Sequence, residues 1–309
     1  MQALIVVILP VFIVIGFGYL AAAKRYLSET SIDTLMKFTQ NFAIPCLLFG
    51  AIYKINIEQI FQLNLLISFY LGAGLGFIFG LFGARYLFKK DWETSVSIGF
   101  CCLFSNTVIL GLAITESAYG MDALTGNFAI VALHAPFCYG VGITAMEITR
   151  NRNQNIIKMA KNVFRAMFKN AIVVSIALGI LVNLLDILIP RSFFSAINMI
   201  AEAALPTALF ALGGVLYRYR PEGNIGPIVM VIIISLIIHP SLVWIFGRLF
   251  YLDENSFRSA VLTSAMAPGV NTYLFANMYD KGQRIAASGI LLSTALSVFT
   301  VWVWLNFLN

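Results

Sequence analysis

The chain has 309 residues, of which 60% are hydrophobic and only 11% charged, and it carries a net charge of +6. A soluble domain of this length needs far more polar surface, so the composition excludes a soluble globular fold and defines a polytopic membrane protein. The positive balance is a topology signal with room for contact with anionic lipids, not a nucleic-acid interface, because no aromatic side chains interleave the basic run in a pattern suited to base stacking.

Apolar stretches predict ten spans, at 3–23, 32–52, 59–88, 93–115, 122–149, 170–188, 195–217, 225–251, 255–279 and 283–307. The first is read as a retained span, not a signal peptide: no Lys or Arg precedes it, and Gly16, Gly18 and Ala21 to Ala23 continue the apolar run. Spans three, five and eight are long, which implies tilt or overhang. Cys46, Cys101, Cys102 and Cys138 all fall inside spans without the spacing of a metal knuckle, and read as small packing residues. Nothing in the sequence asks for a cofactor or a resident metal.

Lys and Arg gather after the odd-numbered spans, with only Lys37, Lys54, Arg191, Arg248 and Arg258 elsewhere. The positive-inside rule therefore places both termini outside and the basic 150–169 segment in the cytoplasm. That segment is the one substantial hydrophilic interruption, and it divides the chain into 1–149 and 170–309. It reads either as a basic amphipathic helix on the inner surface, with Ile156, Ile157, Met159, Ala160, Val163 and Phe164 as its apolar face, or as a plain connecting loop.

The two halves repeat their landmarks. Ala43-Ile44-Pro45-Cys46-Leu47-Leu48-Phe49 is answered by Ala204-Leu205-Pro206-Thr207-Ala208-Leu209-Phe210, and Ser105-Asn106-Thr107 by Val270-Asn271-Thr272. The offsets are 161 for the prolines and 165 for the asparagines, so both pairs fit one duplication. Each half has five spans, an odd number, so the second enters the membrane inverted. The expected fold class is all-α: two inverted five-helix repeats in which spans four and nine are broken and cross.

A helix broken at the bilayer midplane leaves backbone groups that hydrocarbon cannot satisfy, and they are tolerated where they line a polar cavity. Pro268 removes a donor, Gly269 frees the backbone, and Asn271 or Thr272 can cap a second half-helix behind Val270. Ser105, Asn106 and Thr107 suit the same role in span four, without a proline. Two such breaks would aim two positive helix ends at one point, where an anion is the natural occupant. Kinked helices with locally satisfied polar groups are the alternative. Pro45 and Pro206 either shape packing or open spans two and seven beside the crossing. Glu202 stands four residues before Pro206, as Asn41 does before Pro45. Glu202 is the leading candidate for a proton-coupling group, or else lies at the outer water boundary. His134 and His239 are each a packing histidine or a proton relay. No Lys or Arg sits mid-span, so an anion would be held by dipoles, amides and hydroxyls.

These residues resemble the auxin efflux carrier family, which includes bacterial malonate- and malate-type permeases and the plant PIN-formed carriers. The resemblance rests on ten spans with both ends outside, on the Ala43–Phe49 run, and on Ala267-Pro268-Gly269-Val270-Asn271-Thr272-Tyr273-Leu274-Phe275-Ala276. It implies the crossover-helix fold shared with bile-acid symporters and sodium/proton antiporters. It also implies a scaffold of spans one, two, six and seven, an elevator-like transport domain of spans three to five and eight to ten, and a homodimer. The missing proline in span four and the short central loop depart from the PIN pattern and favour a bacterial-type member in the inner membrane. The function expected is secondary transport of small organic anions such as dicarboxylates or auxin-like carboxylates, and the partners expected are that anion, the lipid membrane and a second copy of the chain, with no nucleic acid. A sodium-coupled symporter and a non-transporting membrane sensor are the alternatives. An enzyme is not expected, since HExxH, GxSxG and paired intramembrane aspartates are absent.

Overall fold

The computed structural model describes residues 4–54, 62–150 and 170–308. Among them the only extended pairing is a single antiparallel bridge between Ser105 and Pro268; the rest is helix and connecting turn. The basic segment, with its proposed apolar face from Ile156 to Phe164, lies outside the described residues apart from Arg150.

Seven continuous helices are long and apolar enough to cross a membrane: α1 (Ile5–Ala23), α2 (Glu29–Lys54), α3 (Leu63–Leu87), α5 (Thr125–Thr149), α7 (Arg191–Arg218), α8 (Ile225–Leu249) and α10 (Gln283–Leu308). A shorter apolar helix, α6, covers Ala171–Leu184. The remaining two elements are each in two pieces. The fourth comprises α4a (Trp92–Leu103) and α4b (Thr107–Tyr119), and the ninth α9a (Glu254–Ser264) and α9b (Asn271–Tyr279).

Local chemistry explains these boundaries. Asp91 caps α4a and Asp253 caps α9a, each accepting from the backbone N–H three residues on, at 2.9 Å from Thr94 and 3.0 Å from Ser256. The two aspartates are 162 residues apart, a further pair that fits the duplication. Three prolines follow widened π-turns: Leu4–Ile8 before Pro10, Thr39–Ala43 before Pro45, and Ile234–Ile238 before Pro240. The wide turn gives room to the ring and absorbs the missing donor. Pro206 uses another device: three residues ahead of it α7 tightens to a single turn at Ala203, whose N–H donates to the Ile200 carbonyl at 3.2 Å.

Small residues set the packing, as they do where lipid supplies no hydrophobic drive between helices. On α1, a Cβ added to Gly18 would strike the carbonyl of Phe210; on α7, a Cβ at Gly213 would strike the carbonyl of Ile15. The C-terminal half of α2 lies against α6, where the Asn183 amide donates to the carbonyls of Ile52 at 3.1 Å and Tyr53 at 2.8 Å. These four helices pack on one another, while α3, α5, α8 and α10 pack around the two broken elements. At one end of the second group Arg150 binds Glu93 at 2.8 Å and donates to the Tyr279 carbonyl at 2.9 Å, so a single guanidinium ties α5 to α4a and to the last turn of α9b.

The caps give a pH prediction. Partial burial pushes the Asp91 carboxyl up, but the Thr94 hydroxyl and amide and the Lys281 ammonium outweigh it, leaving the carboxyl below the usual carboxylate range. Asp253 is likewise raised by burial and lowered further by Ser256, Gln62 and a backbone amide. A depressed carboxyl stabilises the fold above its unfolded pKa, near 3.8, and that stabilisation fades as the pH falls through the lower folded value. Asp91→Ala and Asp253→Ala should each cost about 1 kcal/mol at pH 7. In thermal melts of detergent-solubilised protein, that penalty should shrink below pH 4, and a pH-independent penalty would contradict the capping account.

Candidate functional site

The broken elements meet at their breaks. Residues 104–106 and 267–269 run antiparallel, with Asn106 N donating to the Ala267 carbonyl at 2.8 Å and Gly269 N to the Phe104 carbonyl at 2.9 Å. Each break therefore satisfies part of the other's backbone. That is how irregular chain survives at a depth where water is scarce. Span four is thus broken without a proline. Beyond the crossing, Asn106 Oδ1 caps α4b by accepting from Ile109 N at 3.2 Å, and Thr272 closes the first turn of α9b by donating to the Gly269 carbonyl at 2.8 Å.

A small cavity of about 70 Å³ sits at this crossing. Its polar wall consists of Ser105, Asn106, Thr107, His134, Asn271, Gln40 and Asn170, and Gly269 and Val270 complete the side contributed by α9b. The N-termini of α4b and α9b both open on it, and none of its lining residues is charged lysine, arginine or carboxylate. Asn271 Oδ1 accepts from the Tyr139 hydroxyl at 3.4 Å. His134 is 2% exposed and its Nε2 lies 3.1 Å from the Ser105 carbonyl. Pro268 and Thr272 are buried behind the wall.

The other sequence candidates lie elsewhere. Asn41 is exposed and lines neither cavity; Gln40 takes the place expected for it. The reason is the π-turn at Thr39–Ala43, which shifts the helical phase, so that the residue five before Pro45, not four, faces the crossing. Pro45 is buried between helices and also lines neither cavity. His239 is buried on α8, separated from His134 by the ring of Phe69, which meets both imidazoles near edge-on at 5.5 and 5.7 Å. Glu202 and Pro206 line a second, much larger cleft of about 1020 Å³ between α1, α2 and α7 on one side and α4b and α5 on the other. Glu116 and Lys54 share that cleft. Gln40 and Asn170 were not singled out by the sequence, since neither belongs to a repeated landmark. Among the described residues, no three His, Cys, Asp or Glu side chains gather as a metal site would require.

Apolar membrane-crossing helices enclosing a polar cavity between two interrupted elements define a polytopic membrane transporter. The match to known proteins agrees: the family model described as "Membrane transport protein" fits residues 3–305, and the chain belongs to this family, that of the auxin efflux carriers. The chain is 24% identical to the transporter YfdV of Escherichia coli (strain K12), over 96% of this chain and 95% of that protein. It is 25% identical to the "Putative malonate transporter" of Rhizobium meliloti (strain 1021), over 95% and 92% of the two chains. Auxin efflux carrier component 8 of Arabidopsis thaliana is 21% identical over 94% and 93%. These relatives are transporters, and the chain is a transporter and not an enzyme.

Proposed function

We propose that the chain is a secondary carrier of small organic anions, with the crossing of the two breaks as its substrate site. The observation that carries this reading is the convergence of two half-helix N-termini and the Asn106 and Asn271 amides on one cavity without a lysine or arginine. Each helix N-terminus presents roughly half a positive charge and unpaired N–H donors, enough to hold a carboxylate without a fixed counter-charge. The name of one relative, "Putative malonate transporter", points to the same class of substrate.

In this reading the chain is two inverted five-helix repeats spanning the bilayer ten times. Both ends lie outside, the basic segment is cytoplasmic, and the membrane is a bacterial inner membrane. The group α1, α2, α6 and α7 serves as the scaffold, and the other six elements carry the crossing across the membrane as an elevator. Gln40 and Asn170 then face the substrate from the scaffold side. Two copies associate as a homodimer. The larger cleft opens outward, and Glu202 on its wall takes up the coupling proton.

Uptake of labelled malonate into proteoliposomes, in sodium-free buffer with and without an inward proton gradient, tests the reading. Saturable uptake that rises with the gradient is the expected result. Uptake only after sodium is restored would replace the proton with sodium, and absence of uptake for every small acid would remove the anion assignment. Glu202→Gln should flatten the pH dependence of uptake while leaving protein yield unchanged. An intact pH profile in that variant would make Glu202 a bystander on the cleft wall.

A further inference from the structure

The register of the crossing treats Ser105 and Pro268 as equivalents. The cross-bonds run from Asn106 to Ala267 and from Gly269 to Phe104, so the N–H and C=O groups of the central pair point away from the opposite segment. At 268 that register suits proline, because no partner across the pair needs its N–H and its ring fixes φ. At 105 stands a serine, which has no such ring, and its hydroxyl is buried without a hydrogen-bond partner.

Ser105 has a tether instead. Its carbonyl accepts from Thr107 N at 2.9 Å and lies 3.1 Å from His134 Nε2. A carbonyl can only accept, so Nε2 carries the hydrogen and the imidazole is oriented by that bond. The ring is fixed on its other sides. Phe104 meets it edge-on at 4.6 Å, Tyr70 lies roughly parallel at 6.3 Å, and the Tyr70 hydroxyl is itself anchored on the Ile130 carbonyl at 2.7 Å. Phe104 also lies against Gly269, so the imidazole supports both segments of the crossing at once.

We propose that His134 is a positioning residue that fixes the first break as the proline ring fixes the second. Its Nε2–H holds the Ser105 carbonyl, and this sets the direction in which Asn106 and Thr107 present themselves to the cavity. The transport arm of the test rests on the anion-carrier reading above; the backbone arm does not.

Three variants in lipid nanodiscs and proteoliposomes test it: His134→Leu, His134→Gln, and His134→Leu combined with Ser105→Pro. Glutamine places an N–H donor near the position of Nε2, and proline at 105 restores the rigidity that 268 has by itself. Hydrogen exchange of peptides covering 104–112 should quicken about tenfold in His134→Leu and return close to the native rate in the other two. The KM for labelled malonate should rise about tenfold in His134→Leu at unchanged maximal rate, and recover in both rescues. Native exchange in His134→Leu, or glutamine behaving like leucine, would overturn the proposal. If exchange follows the expected pattern but the native protein takes up no acid, His134 keeps its positioning role and the anion reading fails.

Discussion

Gly213→Leu is expected to abolish folded protein, and Gly213→Ala to lower its yield and melting temperature sharply. A Cβ at this position would collide with the Ile15 carbonyl and come within 2.8 Å of Tyr19 N, both backbone atoms that no rotamer change can move. Gly18→Ala produces the mirror collision with the Phe210 carbonyl. Either substitution forces α1 and α7 apart along their contact, at a cost of about 3 kcal/mol or more. Gly16 supplies the control on the same helix, since a Cβ there meets nothing within 4 Å. Gly16→Ala should be neutral or stabilise α1 slightly, because alanine is the better helix former. Fluorescence-detected size exclusion with thermal challenge compares the three directly. Equal behaviour of Gly16→Ala and Gly213→Ala would show that the two helices do not pack as described.

The second large effect is expected at Asn106. Aspartate keeps the oxygen that accepts from Ile109 N, so Asn106→Asp should fold, but it places a carboxylate on the wall of the cavity. Two like charges about 5 Å apart at an effective dielectric of about 20 repel by about 3 kcal/mol, a hundredfold or more in affinity. Uptake of a small carboxylate should therefore fall by roughly that factor at neutral pH. Asn271→Ala should be milder, raising KM severalfold through loss of one amide that the Tyr139 hydroxyl also touches. Undiminished uptake in Asn106→Asp would move the anion away from the crossing.

The breaks were legible in the sequence because a defect in the middle of a membrane helix must leave residues of a special kind, and duplication printed them twice. Pro268, Gly269 and Asn271 have obvious chemistry, and the correspondence with Ser105 to Thr107 supplied the weaker break. The wall opposite was not legible. Counting back four residues from Pro45 assumes an α-helical turn, and the π-turn at Thr39–Ala43 invalidates that count, so the count points to Asn41 while Gln40 faces the crossing. Asn170 follows the segment between the halves and has no counterpart that would mark it. Glu202 and Pro206 share the wall of the larger cleft, but the distance from α7 to the crossing is a tertiary fact: α2 borders both spaces, and α7 only the larger one. Asp91 and Asp253 carried a repeat signal as clear as the prolines, in polar loops where a search for membrane defects does not look.

The crossing also bears on how the protein is made. Its bonds join residues 104–106 to residues 267–269, about 160 residues later in the chain. At a synthesis rate of roughly 5–20 residues per second, the first break waits on the order of ten to thirty seconds for its partner. During that interval α4a, 12 residues long, cannot cross the hydrocarbon core alone, and neither can α9a, with 11, when it emerges. The early half of the chain must therefore be held by a chaperone, by the insertion machinery or at the membrane surface until α9a and α9b arrive. Synthesis halted shortly before residue 267 should leave α4a and α4b exposed to protease, and completion of the chain should protect them.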